Sequence, residues 1–132
     1  MRISLSMLFG VVMAAGLCAP TAALAEGDAA KGAKVFKKCV ACHVVDEAKN
    51  KVGPHLVDII DRPVASIEGY KYSKGMASYA EETPTWTLEA LEAYLRAPRK
   101  VVKGTKMAFA GLKKDADVAN VIAYMKDPAS AE

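Results

Sequence analysis

Cysteine, histidine and strand-like patterning are all scarce in this chain. Only three cysteines occur in 132 residues. Cys18 lies in the N-terminal apolar run, and the other two, Cys39 and Cys42, are near neighbours. Small exported domains usually spread their cysteines to staple distant segments, and this pair cannot do that. There are two histidines, His43 and His55. A structural zinc site needs a second pair of ligands, and none is present. No segment alternates with period two, so no strand is expected, and no repeat or low-complexity segment occurs. Net charge is also small. It is +3 overall, and removing Arg2 with the first 25 residues leaves 17 basic against 15 acidic side chains. That balance excludes a nucleic-acid-binding chain.

The first 25 residues read as a Sec-type signal peptide. Arg2 opens it, Ile3 to Leu17 is almost wholly apolar or small, and Ala23-Leu24-Ala25 supplies the small-x-small cleavage pattern. No acidic residue precedes Glu26. The apolar run is short for a span of about 20 residues, so cleavage after Ala25 is expected, with no permanent membrane anchor. Leu17 before Cys18 argues against a lipoprotein signal. The expected organisation is a leader, 1–25, and one domain, 26–132, exported to the periplasm. Roughly 107 residues can bury only a modest core.

Three helices are expected, giving an all-α fold. The first is capped by Asp28 and runs from Ala29 to about Val40, with Phe36, Cys39 and Val40 on one face. A second follows Thr87, with Leu88, Leu91, Tyr94 and Leu95 on one face, and Pro98 ends it. The third opens at Asp115, with Val118, Val121, Ile122 and Met125 at i, i+3, i+4 and i+7. Asp127-Pro128 closes it. A short helical turn near Lys74 to Ala80 is also expected. Some 60 residues of loop join these helices, more than a compact domain usually carries without a reason. Ile59, Ile60, Tyr70, Tyr72 and Trp86 nevertheless look like core formers. A large, flat, apolar object at the centre accounts for both facts.

Cys39-Val40-Ala41-Cys42-His43 admits three chemistries. A redox dithiol needs a preceding strand and a βαβ setting, which the chain does not offer. Zinc lacks ligands. C-x-x-C-H is also the attachment signal for haem c. Each thiol adds across a vinyl group, and the adjacent histidine is held under the iron. The short motif alone is unspecific, but an export signal strengthens it, and so does a candidate sixth ligand. Met125 fits a core stripe and Met76 a polar stretch. Met107 lies in the loop Gly104-Thr105-Lys106-Met107-Ala108-Phe109, from which a thioether can reach back.

On these residues the chain resembles a class I c-type cytochrome, most similar to bacterial cytochromes c2 and the mitochondrial type. The likeness covers nearly all of residues 26 to 127. It runs through Gly27-Asp28, Gly32, the cysteine motif, Lys51-Val52-Gly53-Pro54, Arg62, Tyr70-Lys71-Tyr72-Ser73, Trp86, Tyr94-Leu95, Pro98, Gly104-Thr105-Lys106-Met107 and Val121-Ile122-Ala123-Tyr124. The resemblance implies one haem c, covalent through Cys39 and Cys42, with His43 and Met107 on its iron. It implies that the Pro54 carbonyl orients His43 and that Arg62, Tyr72 and Trp86 contact a propionate. Tyr94 and Thr105 would lie near Met107, Phe109 at the haem edge, and Gly32 and Phe36 against Tyr124. Members of the family carry glycine where Asp58 and Asp61 stand, and often asparagine where His55 stands. His55 lies too close in sequence to His43 to ligate from the other face.

The function implied is a soluble, monomeric, periplasmic one-electron carrier and not an enzyme. It would shuttle electrons between respiratory or photosynthetic complexes, or from a dehydrogenase to an oxidase. The alternative is the haem subunit of an oxidoreductase or a peroxidase-like enzyme, which would need an open coordination site or a substrate pocket. Partners are expected to be acidic-faced redox proteins or membrane complexes, steered by Lys38, Lys51, Arg99, Lys100, Lys103 and Lys106.

Overall fold

A computed structural model describes residues 26–131, and the expected leader lies outside them. The described residues are helical with long connections, and their only β feature is an isolated bridge between Pro63 and Thr85. Five α-helices follow in order: α1 Ala29–Phe36, α2 Lys74–Glu82, α3 Leu88–Arg96, α4 Pro98–Val101 and α5 Asp115–Lys126. A 3-10 turn, Pro128–Ala131, closes the described chain.

Three helices start where a short polar side chain can take an unpaired N–H. Asp28 accepts from Lys31 N, Ser73 from Met76 N, and Thr87 from Ala90 N. Helix α5 has no side-chain cap, but Asp115 and Asp117 in its first turn oppose the helix dipole. The apolar stripe expected for it is buried in full at Val118, Val121, Ile122 and Met125.

Two expectations need correction. Helix α1 stops at Phe36 and does not reach Val40. Beyond it the N–H groups of Lys38 and Cys39 bond to carbonyls three residues back, at 3.1 and 2.7 Å, which tightens the chain out of α geometry. Val40 is 47% exposed and not on a buried face. The loop after Pro98 also contains a helix. Proline at a first helical position lacks only an N–H that would be unpaired there, so Pro98 ends α3 and begins α4.

The core is organised by the crossing of α1 and α5. A Cβ on Gly32 would fall on the Asn120 carbonyl and lie 2.7 Å from Tyr124 Cβ. Phe36 and Tyr124 pack with ring centroids 5.3 Å apart. Asn120 Oδ1 also accepts from Asp28 N at 2.8 Å, so the two chain ends are joined by packing and by a hydrogen bond. Elsewhere the loops are pinned to helices and to one another by backbone bonds. Leu112 N donates to Leu95 O at 2.8 Å, and the 61–64 segment exchanges bonds with Pro84 and Trp86.

The loop before Arg62 keeps the backbone that glycine would favour. Asp58 and Asp61 have φ of 51° and 60°, and Ala65 has 57°. Aspartate tolerates the left-handed region better than most residues, and alanine does not.

Two outcomes are expected. Gly32→Ala should cost about 1–3 kcal/mol through overpacking, read as a lower denaturant midpoint with unchanged slope. Ala65→Gly should add about 0.5–1 kcal/mol, because the relief of left-handed strain exceeds glycine's entropy cost. An unchanged midpoint in either variant would contradict the packing or the strain described.

Candidate functional site

All five helices leave uncovered a mostly apolar cavity of about 370 Å³. Its walls are built from segments far apart in sequence. The turn after α1 supplies Cys39, Cys42 and His43, and the following loop supplies Gly53, Pro54, Ile59 and Arg62. The segment into α2 contributes Tyr70, Tyr72 and Met76, and Trp86 precedes α3. Helix α3 contributes Leu91, Tyr94 and Leu95, and the loop before α5 adds Thr105, Met107 and Phe109. Every side chain expected to bind the cofactor therefore lines one space. His55 does not, so it is no ligand candidate.

The turn geometry explains how Cys39, Cys42 and His43 face the same way. Cys39 O accepts from both Cys42 N and His43 N, at 3.0 and 2.9 Å. Gly53 N donates to Cys42 O at 2.8 Å. The intervening Val40 and Ala41 are left outside. Both cysteines are free thiols. Burial pushes the Cys39 thiol up.

His43 is held by one bond. Its Nδ1 lies 2.7 Å from the Pro54 carbonyl. A carbonyl only accepts, so Nδ1 carries the proton and donates. Nε2 is left with its lone pair. Burial lowers the pKa of His43, and the charge of Lys51 adds to this, while the Pro54 carbonyl opposes it. The ring is thus kept neutral, the state a metal ligand requires. Gly53 is required beside it, because a Cβ there would approach Nδ1 to 2.8 Å and Nε2 to 2.9 Å.

The Met107 side is equally fixed. Tyr94 Oη and Thr105 Oγ1 are 2.9 Å apart, and Thr105 Oγ1 accepts from Met107 N at 3.2 Å. Burial raises the pKa of the Tyr94 hydroxyl, partly offset by its bond to Thr105. Trp86 packs between Tyr94 and Tyr79, with centroids 5.1 and 5.8 Å away.

Arg62 brings a cation to this apolar space. Nη1 donates to Val57 O at 2.8 Å and Nη2 to His55 O at 3.1 Å. Its Nε is buried without a partner among the described residues. A buried donor left unpaired is costly, and the Arg62 side chain lines the cavity, where a cation matches a ligand with an acidic group. Two thiols one turn apart, a neutral imidazole with a free lone pair, a thioether and a cavity-facing guanidinium together fit a haem with its propionates.

The basic residues divide. Lys38 and Lys106 line the mouth, while Lys51 lines no part of it and donates to the Val40 carbonyl. Lys106 Nζ reaches Lys71 O at 3.0 Å. Arg99, Lys100 and Lys103 are exposed but line no part of the cavity. Met76 lies in a stretch that reads as polar and lines the cavity. Its spacing to Tyr79 and Ala80, i+3 and i+4, is the pattern that marks it.

The comparisons with known proteins agree with this chemistry. The family model described as cytochrome c matches residues 29–128. The chain is similar to cytochrome c2 of Agrobacterium tumefaciens, with 45% identity over 108 residues, covering 81% of this chain and 97% of that one. It is 42% identical over 121 residues to cytochrome c2 of Blastochloris viridis, covering 91% of each. The solved structure of cytochrome cH from Methylobacterium extorquens superposes with a TM-score of 0.69 at 38% identity. That match covers 76% of this chain and 98% of that one.

Gly53→Ala should push the His43 ring off Pro54. In the protein as isolated, the His43 Nδ1–H proton should be slowly exchanging by NMR, and this protection should be lost in the variant. Stability should fall by about 1–3 kcal/mol. A variant that keeps the protected proton would show that the Gly53 contact does not set the ring.

Proposed function

Because the chain belongs to the cytochrome c family, electron-transfer proteins with covalently bound haem c, we propose that residues 26–132 form a periplasmic one-electron carrier. In this reading Cys39 and Cys42 carry the haem, and His43 and Met107 ligate its iron. The observation that carries it is the single cavity into which His43, oriented by Pro54, and Met107, fixed through Thr105, both project. Bound haem supplies the exchange of one electron at a ligand-saturated iron.

The residues' own work is to hold coordination constant and keep water away. The Pro54 carbonyl fixes the imidazole's tautomer and angle. Thr105 holds the Met107 backbone. Thioether sulfur favours the reduced metal, and the apolar walls disfavour the extra charge of the oxidised one. Arg62, with Tyr72 and Trp86, lines the cavity where an acidic substituent would lie. Lys38 and Lys106 at the mouth give an acidic partner an electrostatic approach, with Lys51, Arg99, Lys100 and Lys103 extending the positive field. Exposed Val52 lies within that rim. No helix among the described residues is long and apolar enough to cross a membrane.

Expression in a host that matures c-type cytochromes should give a red protein that keeps its colour through acid-acetone extraction. Cys39→Ala with Cys42→Ala should release the haem. Met107→Ala should remove the weak far-red ferric band and shift the reduced-to-oxidised equilibrium toward oxidised at least tenfold, about 59 mV for one electron. Electron-transfer rates with an acidic partner should fall about tenfold or more from low to high salt. A rate independent of salt would remove the basic rim from the docking role.

A further inference from the structure

Three packed aromatic rings run outward from the cavity. Tyr94 and Trp86 line it, and each is buried to 6% exposure. Tyr79 lies on α2, half-buried and outside the cavity wall. Trp86 stands between the two tyrosines, with its ring centroid 5.1 Å from that of Tyr94 and 5.8 Å from that of Tyr79. The Trp86 backbone is pinned on both sides, since its N–H donates to Arg62 O and its carbonyl accepts from Asp61 N, each at 2.9 Å. The Tyr94 hydroxyl pairs with Thr105, which takes the Met107 N–H. A continuous path of contacts therefore leads from the Met107 loop, through closely packed rings, to the surface of α2.

The surface it reaches is opposite in charge to the mouth. Residues 75–95 include four glutamates, Glu81, Glu82, Glu89 and Glu92, and no lysine or arginine. Glu82 is three residues beyond Tyr79 on α2, a spacing that puts the two side chains on one face. Glu81, Glu82 and Glu89 are exposed and belong to no ion pair among the described residues. Lys38 and Lys106 mark the other opening. Electron tunnelling falls off less steeply through packed atoms than through a gap, so a row of touching rings is a usable bridge. We propose that Tyr79 is the outer end of a second electron port, which serves a basic-faced redox partner while the mouth serves an acidic one. One electron leaves the reduced protein and the partner's oxidised centre takes it up. No proton moves and no bond forms or breaks. The rings are the medium and are not themselves oxidised.

This port rests on the reading of the chain as an electron carrier, and the experiment separates the two. Haem-loaded, reduced protein is oxidised in stopped flow by ferricyanide, a trinegative complex, and by tris(phenanthroline)cobalt(III), a tripositive one. With a single port at the basic mouth, added salt slows the ferricyanide reaction and speeds the cobalt reaction. With two ports both reactions slow, a result that the wild type gives without any variant. Tyr79→Leu should slow the cobalt reaction several-fold and leave the ferricyanide rate unchanged. Glu81→Gln with Glu82→Gln should lower the cobalt rate about tenfold at low salt and flatten its salt dependence. A cobalt rate that rises with salt in the wild type, an unchanged cobalt rate in Tyr79→Leu, or equal slowing of both reagents in that variant would each overturn the second port. Protein that neither reagent oxidises would instead overturn the carrier reading.

Discussion

The bond from His43 Nδ1 to the Pro54 carbonyl is the interaction on which the rest of the site depends. It joins the turn after α1 to the loop that follows, at 2.7 Å, inside an apolar wall. Without it, the ring could rotate and either nitrogen could carry the proton. With it, the proton sits on Nδ1 and the Nε2 lone pair is left free, while burial keeps the imidazole neutral. The neighbouring turn bonds, from Cys42, His43 and Gly53, serve the same end. They aim three reactive side chains at one space over five residues of chain.

The Met107 side is organised by a different device. There the ligand candidate is on a long loop, and loops seldom fix a side chain on their own. Thr105 bonds the Met107 backbone, Tyr94 on α3 bonds Thr105, and Trp86 packs on Tyr94. A rigid helix thus reaches the loop through a hydroxyl pair. The two sides together explain how a domain with so much irregular chain keeps a defined centre.

Much of this was readable in the sequence, because the chemistry is concentrated in spaced residues. The C-x-x-C-H motif, Trp86, Tyr94 and Met107 were legible in order, and the α5 stripe from Val118 to Met125 is buried as its period requires. What stayed hidden depended on backbone geometry. The end of α1 at Phe36 follows from bonds three residues back, which no single residue announces. Helix α4 begins at the proline that closes α3, so one residue carries two opposite signals. The left-handed backbone at Asp58 and Asp61 forms without glycine, so residue type alone does not announce it. Met76 was missed because its helix is polar on balance.

The α1–α5 crossing has a consequence for how the protein comes into being. It unites residues 92 positions apart, Asp28 and Asn120. Closing a loop of that length carries an entropy cost that only the finished packing offsets. A chain made from its N-terminus therefore has Cys39, Cys42 and His43 available long before α5 exists to pack against α1. The order of synthesis thus leaves the helix that leads into both thiols without its packing partner until the last helix is made.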